Sequence, residues 1–379
     1  MRWTHPPDGG IIVCQAWQMG CHAKVKEGES EMNATAKVIG LDIAKNVFVA
    51  VGLDTHGKVV LKRTFSRGGV LEAFANMPAS TIGVESCAGS HYWARKLIEL
   101  GHDVKLIAAQ HTRAYVSGNK NDSNDAAAIA EARSRQSTKY VAINSEAQQD
   151  LQMMHRARQA LMTERNGMIY RIRAFAGEYG QVFPVGVAKF RAAFAAWVAD
   201  AQNGLSGSAM STFGDLTAQL DDKEARIATY DKRLLQAAQA DERARRLREV
   251  PGIGALTATA LVASVADAHH FASGRDFAAN LGLVPREHSS GGKQRLYGIT
   301  KRGDVYLRTL LIHGARSALW RAGEKQDRLL RWAVKLAERR GMNVAAVALA
   351  NKLARVVWAL LAHGREYVPI WSNSTTRPA

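Results

Sequence analysis

Val38-Ile-Gly-Leu-Asp-Ile43 is an apolar run interrupted by one carboxylate, Asp42, near its end. A short continuous apolar run of this kind reads as a buried strand. An ionised carboxylate there loses hydration and needs a compensating partner. Working outward, Val47–Leu53 and Val59–Phe65 read as two further strands, joined by the turn residues Asp54-Thr55-His56-Gly57. Gly68-Gly69 breaks the pattern before a short helix over Leu71–Met77. Thr81–Glu85 is a fourth strand and again ends on an acid, Glu85. A helix over His91–Leu100 stops at Gly101, and Val104–Ala108 is a fifth strand. The polar loop Lys120-Asn-Asp-Ser-Asn-Asp125 then turns into an alanine-rich helix over Ser123–Arg135.

Three strands in a meander followed by alternating helix and strand is the order expected of a ribonuclease-H-like sheet. Asp42, Glu85, Asp122 and Asp125 fall where such a domain places metal ligands. Hard divalent cations, Mg²⁺ (or Mn²⁺), take a few carboxylates together with water and phosphate oxygens. Two such ions roughly 3.5–4 Å apart would stabilise the attacking and leaving oxygens of a phosphodiester. The set therefore points to strand cleavage in DNA or RNA. Each acid also has a plainer reading. Asp122 is a candidate N-cap with Asp125 in the first turn against the helix dipole. Glu85 is a strand end in solvent, and Asp42 a partner for neighbouring backbone amides. The spacing of three does put Asp122 and Asp125 on one face of a helical turn.

Over 379 residues, Lys plus Arg total 51 against 34 Asp plus Glu, a formal charge of +17. An excess of that size implies a polyanionic partner, nucleic acid by default. An acidic membrane surface is the rival, but the sequence has no lipidation signal and no evident apolar run long enough to span a bilayer. Hydrophobic residues at 47% allow a sizeable core and exclude a wholly disordered chain. Cys14, Cys21 and Cys87 make no disulfide framework and suit a reducing cytoplasm. Cys14, Cys21 and His22 match no standard zinc spacing. Residues 1–36 have neither a clear period nor a secretory core and read as a disordered or misassigned leader, with Met32 the natural start.

From Ser145 onward the strand signals stop. Residues 146–180 carry a helical pattern with Arg156, Arg158, Arg165, Arg171 and Arg173, either a solvated face or one that tracks phosphates. Gln181–Ser208 reads as irregular. A helix over Leu216–Leu247 has Leu220, Ile227 and Leu234 seven apart, as in a coiled coil or a packed core helix. Val250-Pro-Gly-Ile-Gly254 and the apolar helix Leu256–Val265 resemble a helix-hairpin-helix element, in which the amides at Gly252 and Gly254 would hold a DNA phosphate. An ordinary helix–helix turn with a glycine cap reads equally well. Farther on, Ser289 and Ser290 precede Gly291-Gly292, amid Lys293, Arg295, Lys301, Arg302 and Arg308. A hydroxyl among cations suits a nucleophile for phosphorus. Ser-Ser-Gly-Gly is also ordinary loop composition, and composition alone favours the loop.

Several motifs occur in a fixed order: Gly-Leu-Asp-Ile-Ala-Lys (40–45), Val-Glu-Ser-Cys-Ala-Gly (84–89), Lys-Asn-Asp-Ser-Asn-Asp-Ala (120–126) and Pro-Gly-Ile-Gly (251–254). Gly-Leu-Val-Pro-Arg-Glu-His-Ser-Ser-Gly-Gly-Lys (282–293) and Gly-Ile-Thr-Lys-Arg-Gly-Asp-Val-Tyr-Leu-Arg (298–308) complete it. From about Val38 to His363 this resembles the transposases of the insertion-sequence 110 family, relatives of the Piv-type DNA invertases. The resemblance implies an α/β plus α fold: a RuvC-like DEDD domain over 37–144, a helical or coiled-coil linker over 145–247, a mostly helical transposase domain over 248–366 and a tail over 367–379. It also implies that Asp42, Glu85, Asp122 and Asp125 hold metal and that Ser290, rather than Ser289, attacks DNA to give a phosphoserine. Donor and target DNA, a structured noncoding guide RNA and a homo-oligomer (dimer or tetramer) joined through the helical middle are the implied partners. Acids and serine of one composite site would then come from different subunits, in the bacterial cytoplasm. The leader and Cys87 depart from the family pattern. The rival expectations are a RuvC-like nuclease that uses metal-activated water, and a non-catalytic architectural DNA-binding protein.

Overall fold

A computed structural model describes residues 36–119, 121–323 and 327–369. The expectations for Cys14, Cys21, His22 and Met32 lie outside the described residues. Strands β1 (Val38–Ile43), β2 (Val47–Leu53) and β3 (Val59–Ser66) form an antiparallel meander. Helix α1 (Val70–Ala75), strand β4 (Thr81–Glu85), helix α2 (Ser90–Glu99) and strand β5 (Asp103–Ile107) follow. The unit closes with α3 (Ala109–Thr112), α4 (Asp122–Ser134) and the two-residue strand β6 (Tyr140–Val141), which the sequence reading missed. The six strands lie in the order β3-β2-β1-β4-β5-β6, with β1, β4 and β5 parallel. This mixed sheet is compatible with the nuclease-like domain expected from the sequence.

Side chains alternate across a strand, and here the alternation decides which face is functional. Ile39, Leu41, Ile82 and Val84 pack with Phe48, Phe74, Trp93 and Leu97 on the face covered by α1 and α2. Val38 packs with Ala126 and Ala130 of α4 on the other face. Gly40 and Asp42 share the parity of Val38, and Gly83 and Glu85 are likewise out of phase with Ile82 and Val84, so both acids belong to the α4 face. Parallel pairing of Leu41 with Val84 sets the ends of β1 and β4 side by side. Helix α4 reaches that face only because the strands carry glycine there. A Cβ on Gly40 would lie 2.0 Å from the Ala126 carbonyl oxygen, and one on Gly83 would lie 2.9 Å from the Arg133 Cβ.

Beyond Ser145, which closes a capping box with Gln148, the chain is helical apart from one hairpin. Helices α5 (Glu146–Gly177) and α7 (Gly207–Ala240) run antiparallel, as the ion pairs Arg158–Asp231 and Glu164–Lys223 show by their opposed numbering. Leu220, Ile227 and Leu234 are buried, as the spacing of seven requires. Between these helices lies α6 (Val187–Ala199), a correction to the irregular segment read over Gln181–Ser208. Its Phe190 and Phe194 pack with Phe183 and Phe213 at the far end of the pair. Two of the arginines expected on an exposed row are structural. Arg158 pairs with Asp231, while Arg173 donates to the carbonyls of Phe183 (2.6 Å) and Pro184 (2.5 Å) and lies over the Phe190 ring.

The remaining elements are α8 (Glu242–Arg248), α9 (Ala255–Ser264), α10 (Gly274–Asn280), β7 (Pro285–Glu287), β8 (Leu296–Ile299), α11 (Val305–Trp320), α12 (Arg328–Arg340) and α13 (Met342–His363). Asp241 caps α8 and so divides the helix expected over Leu216–Leu247. Helix α13 is long and apolar enough to cross a membrane by length and composition, contrary to the sequence reading. Leu349, Leu353, Val357 and Leu360 are instead buried in the core that α13 shares with α8 to α11. The α5–α7 pair is tied to this core by polar contacts. Gln148 and Gln152 donate to the carbonyls of Val262 and Ala263. His155, buried and pushed down to about 4 by desolvation, stays neutral and bridges Thr259 and Tyr306.

A methyl group at Gly40 has no space to enter. Gly40→Ala is expected to lower stability by about 1–3 kcal/mol, the usual range for overpacking, or to prevent folding. Gly214 on α7 faces open space, and Gly214→Ala is expected to stabilise by up to about 1 kcal/mol through helix propensity. Thermal unfolding of the two variants side by side checks this. Equal effects would mean that α4 does not rest on Gly40.

Candidate active site

The first turn of α4 sits over the ends of β1 and β4. Its N-cap is Asn121, whose side chain accepts from the Asn124 amide at 2.8 Å. Asp122 is therefore not the cap, and its carboxylate and that of Asp125 remain in the first helical turn. The other three acids act on Asp42. The Asp42 carboxyl is raised from 3.8 to about 6, first by burial and then by the charges of Asp125, Asp122 and Glu85. A carboxylate raised by both desolvation and like charge marks a site that lacks positive charge of its own.

Glu85 is held from below. The hydroxyl of Thr112, almost fully buried at the end of α3, donates to its carboxylate and also approaches the Ala109 carbonyl at 3.0 Å. Thr112 carries no sequence signal, because a helix of four residues has no period to read. Cys87, exposed on the loop after β4, lies at the rim of the acids. Burial and the charges of Asp42 and Glu85 push its thiol up.

Among the described residues no three His, Cys, Asp or Glu side chains are gathered close enough to hold a metal ion as they stand. The acids are near enough to raise Asp42 but form an open set, the arrangement that like charges favour. Their chemistry nonetheless fits a divalent cation: four hard oxygen donors around a carboxylate whose ionised form is disfavoured for want of a positive charge. Asp42, Glu85, Asp122 and Asp125 are the residues that would hold it.

Ser290 lies elsewhere. Strands β7 and β8 form an antiparallel hairpin whose residues 285–298 are exposed. At its end Lys293 donates its amide to the Ser290 carbonyl at 3.1 Å. The Ser289 hydroxyl is engaged locally, donating to Glu287 at 2.5 Å and accepting from the Arg295 amide. The Ser290 hydroxyl takes none of these bonds, and Lys293 and Arg295 are exposed beside it. The acids thus stand on β1, β4 and the first turn of α4, and Ser290 on a different element, the β7–β8 hairpin.

One of the expected nucleic-acid contacts needs correction. Arg308 is buried, and its guanidinium donates to the carbonyls of Leu281 (3.0 Å) and Arg302 (2.8 Å), fastening the segment that follows the hairpin. It has no free face for a phosphate, although Lys301 and Arg302 stay exposed. Gly252 has φ +89°, and a Cβ there would lie 2.7 Å from the Gly314 carbonyl oxygen. Its glycine is required by contact with α11, whereas Gly254 is exposed with open space around it.

Two family models match the chain. One, described as the transposase IS116/IS110/IS902 family, covers residues 244–331, and a second transposase model, of the DEDD type from IS110 elements, covers residues 39–180. Among curated proteins the chain is similar to a "Probable family 20 transposase" of Pseudomonas aeruginosa, 45% identical over 87% of this chain and 98% of that protein. It is 41% identical to the transposase for insertion sequence element IS1111A of Coxiella burnetii, over 87% of this chain and 91% of the relative. The transposase for IS1328 of Yersinia enterocolitica is 38% identical over 86% of this chain and 97% of the relative.

In chelator, Asp42→Asn is expected to stabilise the protein at pH 7. A carboxyl whose folded value lies above its unfolded one opposes folding when ionised, so its penalty is absent below pH 3.8 and complete above about 6. Discounted for partial exposure, the gain is about 1–2 kcal/mol at pH 7 and close to nil at pH 3.5. Melting curves at the two pH values test this, and a variant destabilised equally at both would contradict it. Thr112→Val is expected to weaken Mn²⁺ binding, read by calorimetry, by about 10-fold or more, as loss of a ligand's supporting bond does. Thr112→Ser should restore most of it.

Proposed function

The chain belongs to the IS116/IS110/IS902 family of insertion-sequence transposases, enzymes that cleave and join DNA, and from that premise we propose a two-part strand-transfer chemistry. The observation that carries the reading is the placing of Asp42 and Glu85 at the paired ends of β1 and β4, on the sheet face covered by α4, whose first turn holds Asp122 and Asp125. In this reading residues 37–144 are a RuvC-like unit, 145–247 a linker and 248–366 the serine-bearing unit. Asp42, Glu85, Asp122 and Asp125 hold Mg²⁺ (or Mn²⁺), which when bound supplies Lewis-acid polarisation of the scissile phosphate. Thr112 keeps Glu85 turned toward that position.

Ser290 is the nucleophile. Its Oγ forms a bond to phosphorus as one backbone P–O bond breaks, and the serine proton ends on the departing deoxyribose oxygen. The phosphoserine conserves the ester bond for rejoining to a second strand, which hydrolysis would not. Lys293 and Arg295 stabilise charge developing on the phosphate, and Gly254, Lys301 and Arg302 position the backbone farther along. Since Ser290 stands on a different element from the acids, we complete the site in a homo-oligomer, acids from one copy and serine from another. A structured noncoding RNA chooses donor and target by base pairing, and the enzyme works in the cytoplasm on nucleoid DNA. The same separation favours the second reading, in which water replaces Ser290 and the protein acts as a nuclease.

Labelled donor DNA incubated with wild type, Ser289→Ala and Ser290→Ala, then denatured, distinguishes the two. Protein-linked label is expected with wild type and Ser289→Ala and to be absent, by at least 100-fold (about 2.7 kcal/mol of barrier), with Ser290→Ala. Clean cleavage without any adduct would favour the nuclease.

A further inference from the structure

The tails of two motifs, Lys45 and the stretch from Ser86 to Gly89, have no part in the metal site, yet both lie beside it. Lys45 is exposed on the turn between β1 and β2 that follows Asp42. Arg67, just past β3, donates to the Lys45 carbonyl at 3.3 Å, and its guanidinium lies 5.1 Å from the centre of the Trp93 ring. The loop after Glu85 reaches the same place, with the Cys87 thiol against the Ile43 carbonyl. It ends at Gly89, φ +86°, which is the N-cap of α2 and provides no side chain to cap it. The first amide of this ten-residue helix, that of Ser90, donates to the Cys87 carbonyl at 3.2 Å, and the positive end has no side-chain cap for those that follow.

The second observation is independent of the helix end. Trp93, in the first turns of α2, is 96% buried by its 4% exposure, and its indole Nε1–H has no hydrogen-bond partner. Such a group costs about 1–3 kcal/mol when left unsatisfied, and buried orphan donors are uncommon. It lies beside the cap: a Cβ on Gly89 would stand 3.8 Å from the indole Cδ1 and 3.9 Å from Nε1. A donor without an acceptor, an uncapped helix start and two cations on neighbouring turns all lack the same thing, an anion.

We propose that Gly89, the Trp93 indole, Arg67 and Lys45 form a phosphate subsite for the nucleic-acid backbone, next to the four acids. The anion is a phosphodiester adjoining the scissile one. Arg67 turns from the indole face to meet it, and the Nε1–H gains its acceptor. This rests on the reading of the acids as a strand-cleavage site. It assigns to the sheet unit a grip on DNA that does not depend on metal, and so fixes which phosphate meets the acids.

The full-length protein is labelled with ¹⁵N at its indoles, and the Trp93 resonance is identified by its loss in Trp93→Phe, which keeps an aromatic ring in the core. A short DNA duplex and, separately, inorganic phosphate are titrated in chelator. The Trp93 resonance is expected to move with DNA, to move equally in Asp42→Asn, and to move less in Arg67→Gln. Trp93→Phe should weaken metal-free DNA binding about 3- to 10-fold, one hydrogen bond's worth, and Arg67→Gln should reduce the salt slope by about 0.9. DNA that binds and shifts other indoles but not Trp93 would overturn the subsite while leaving the acid site untouched. A response to inorganic phosphate alone would overturn it too, as an adventitious ion only. Cleavage that survives Asp42→Asn, with the Trp93 shift intact, would instead refute the acid site and spare this one.

Discussion

Everything in the sheet unit depends on how closely α4 approaches β1 and β4. Two strand glycines and a run of alanines make that approach possible, with backbone packed directly on backbone at Gly40. Close packing fixes where the first turn of α4 falls, and the first turn carries Asp122 and Asp125. A larger residue at Gly40 or Gly83 would push the helix outward and move both carboxylates away from Asp42 and Glu85. The glycines act on the site without belonging to it.

That packing gathers negative charge in a half-buried place, and the fold bears the cost. Repulsion and desolvation at Asp42 oppose folding at neutral pH in the absence of a cation. Among the described residues no cation is one of the groups that shift it, although the chain carries an excess of 17 positive charges. Arg133 is close in sequence but pairs with Asp103 at the far end of α4, and Arg67 and Lys45 lie on the Trp93 side. Keeping cations out of the acidic set while placing them one step away leaves room for a divalent ion at one point and a phosphate at the next.

The strand ends were legible because burial and alternation leave a strong period in a sequence, and the acids stood out as breaks in it. Other features left no such trace. Helix α6 is apolar nearly all round, so it shows no stripe from which to read a helix. Asp241 reads as one more polar residue of a long helix until its side chain is seen capping the next one. Helix α13 was passed over as a long apolar segment because Lys352 and Arg355 interrupt it. Arg308 looked like a phosphate ligand by its company, since sequence does not distinguish an arginine facing solvent from one bound to two backbone carbonyls. Thr112 was invisible, its role set wholly by tertiary contact with Glu85.

The placing of Ser290 carries the last step. Its hairpin is exposed along residues 285–298, whereas the segment behind it, Lys301–Gly303, is held tightly. A Cβ on Gly303 would lie 1.7 Å from the Asn280 carbonyl oxygen, and Lys301 is held at φ +57°, a conformation costly for a residue with a side chain. Arg308 locks that base from within. The hairpin is thus a projecting element on a rigid root, while α5 is pinned to α9 and α11 through Gln148, Gln152 and His155. Such pinning fixes the long helix α5 against the core from which the hairpin projects. The root is built from ordinary packing: a glycine that avoids a backbone clash, a strained Lys301 and one buried guanidinium set where every residue of the hairpin stands.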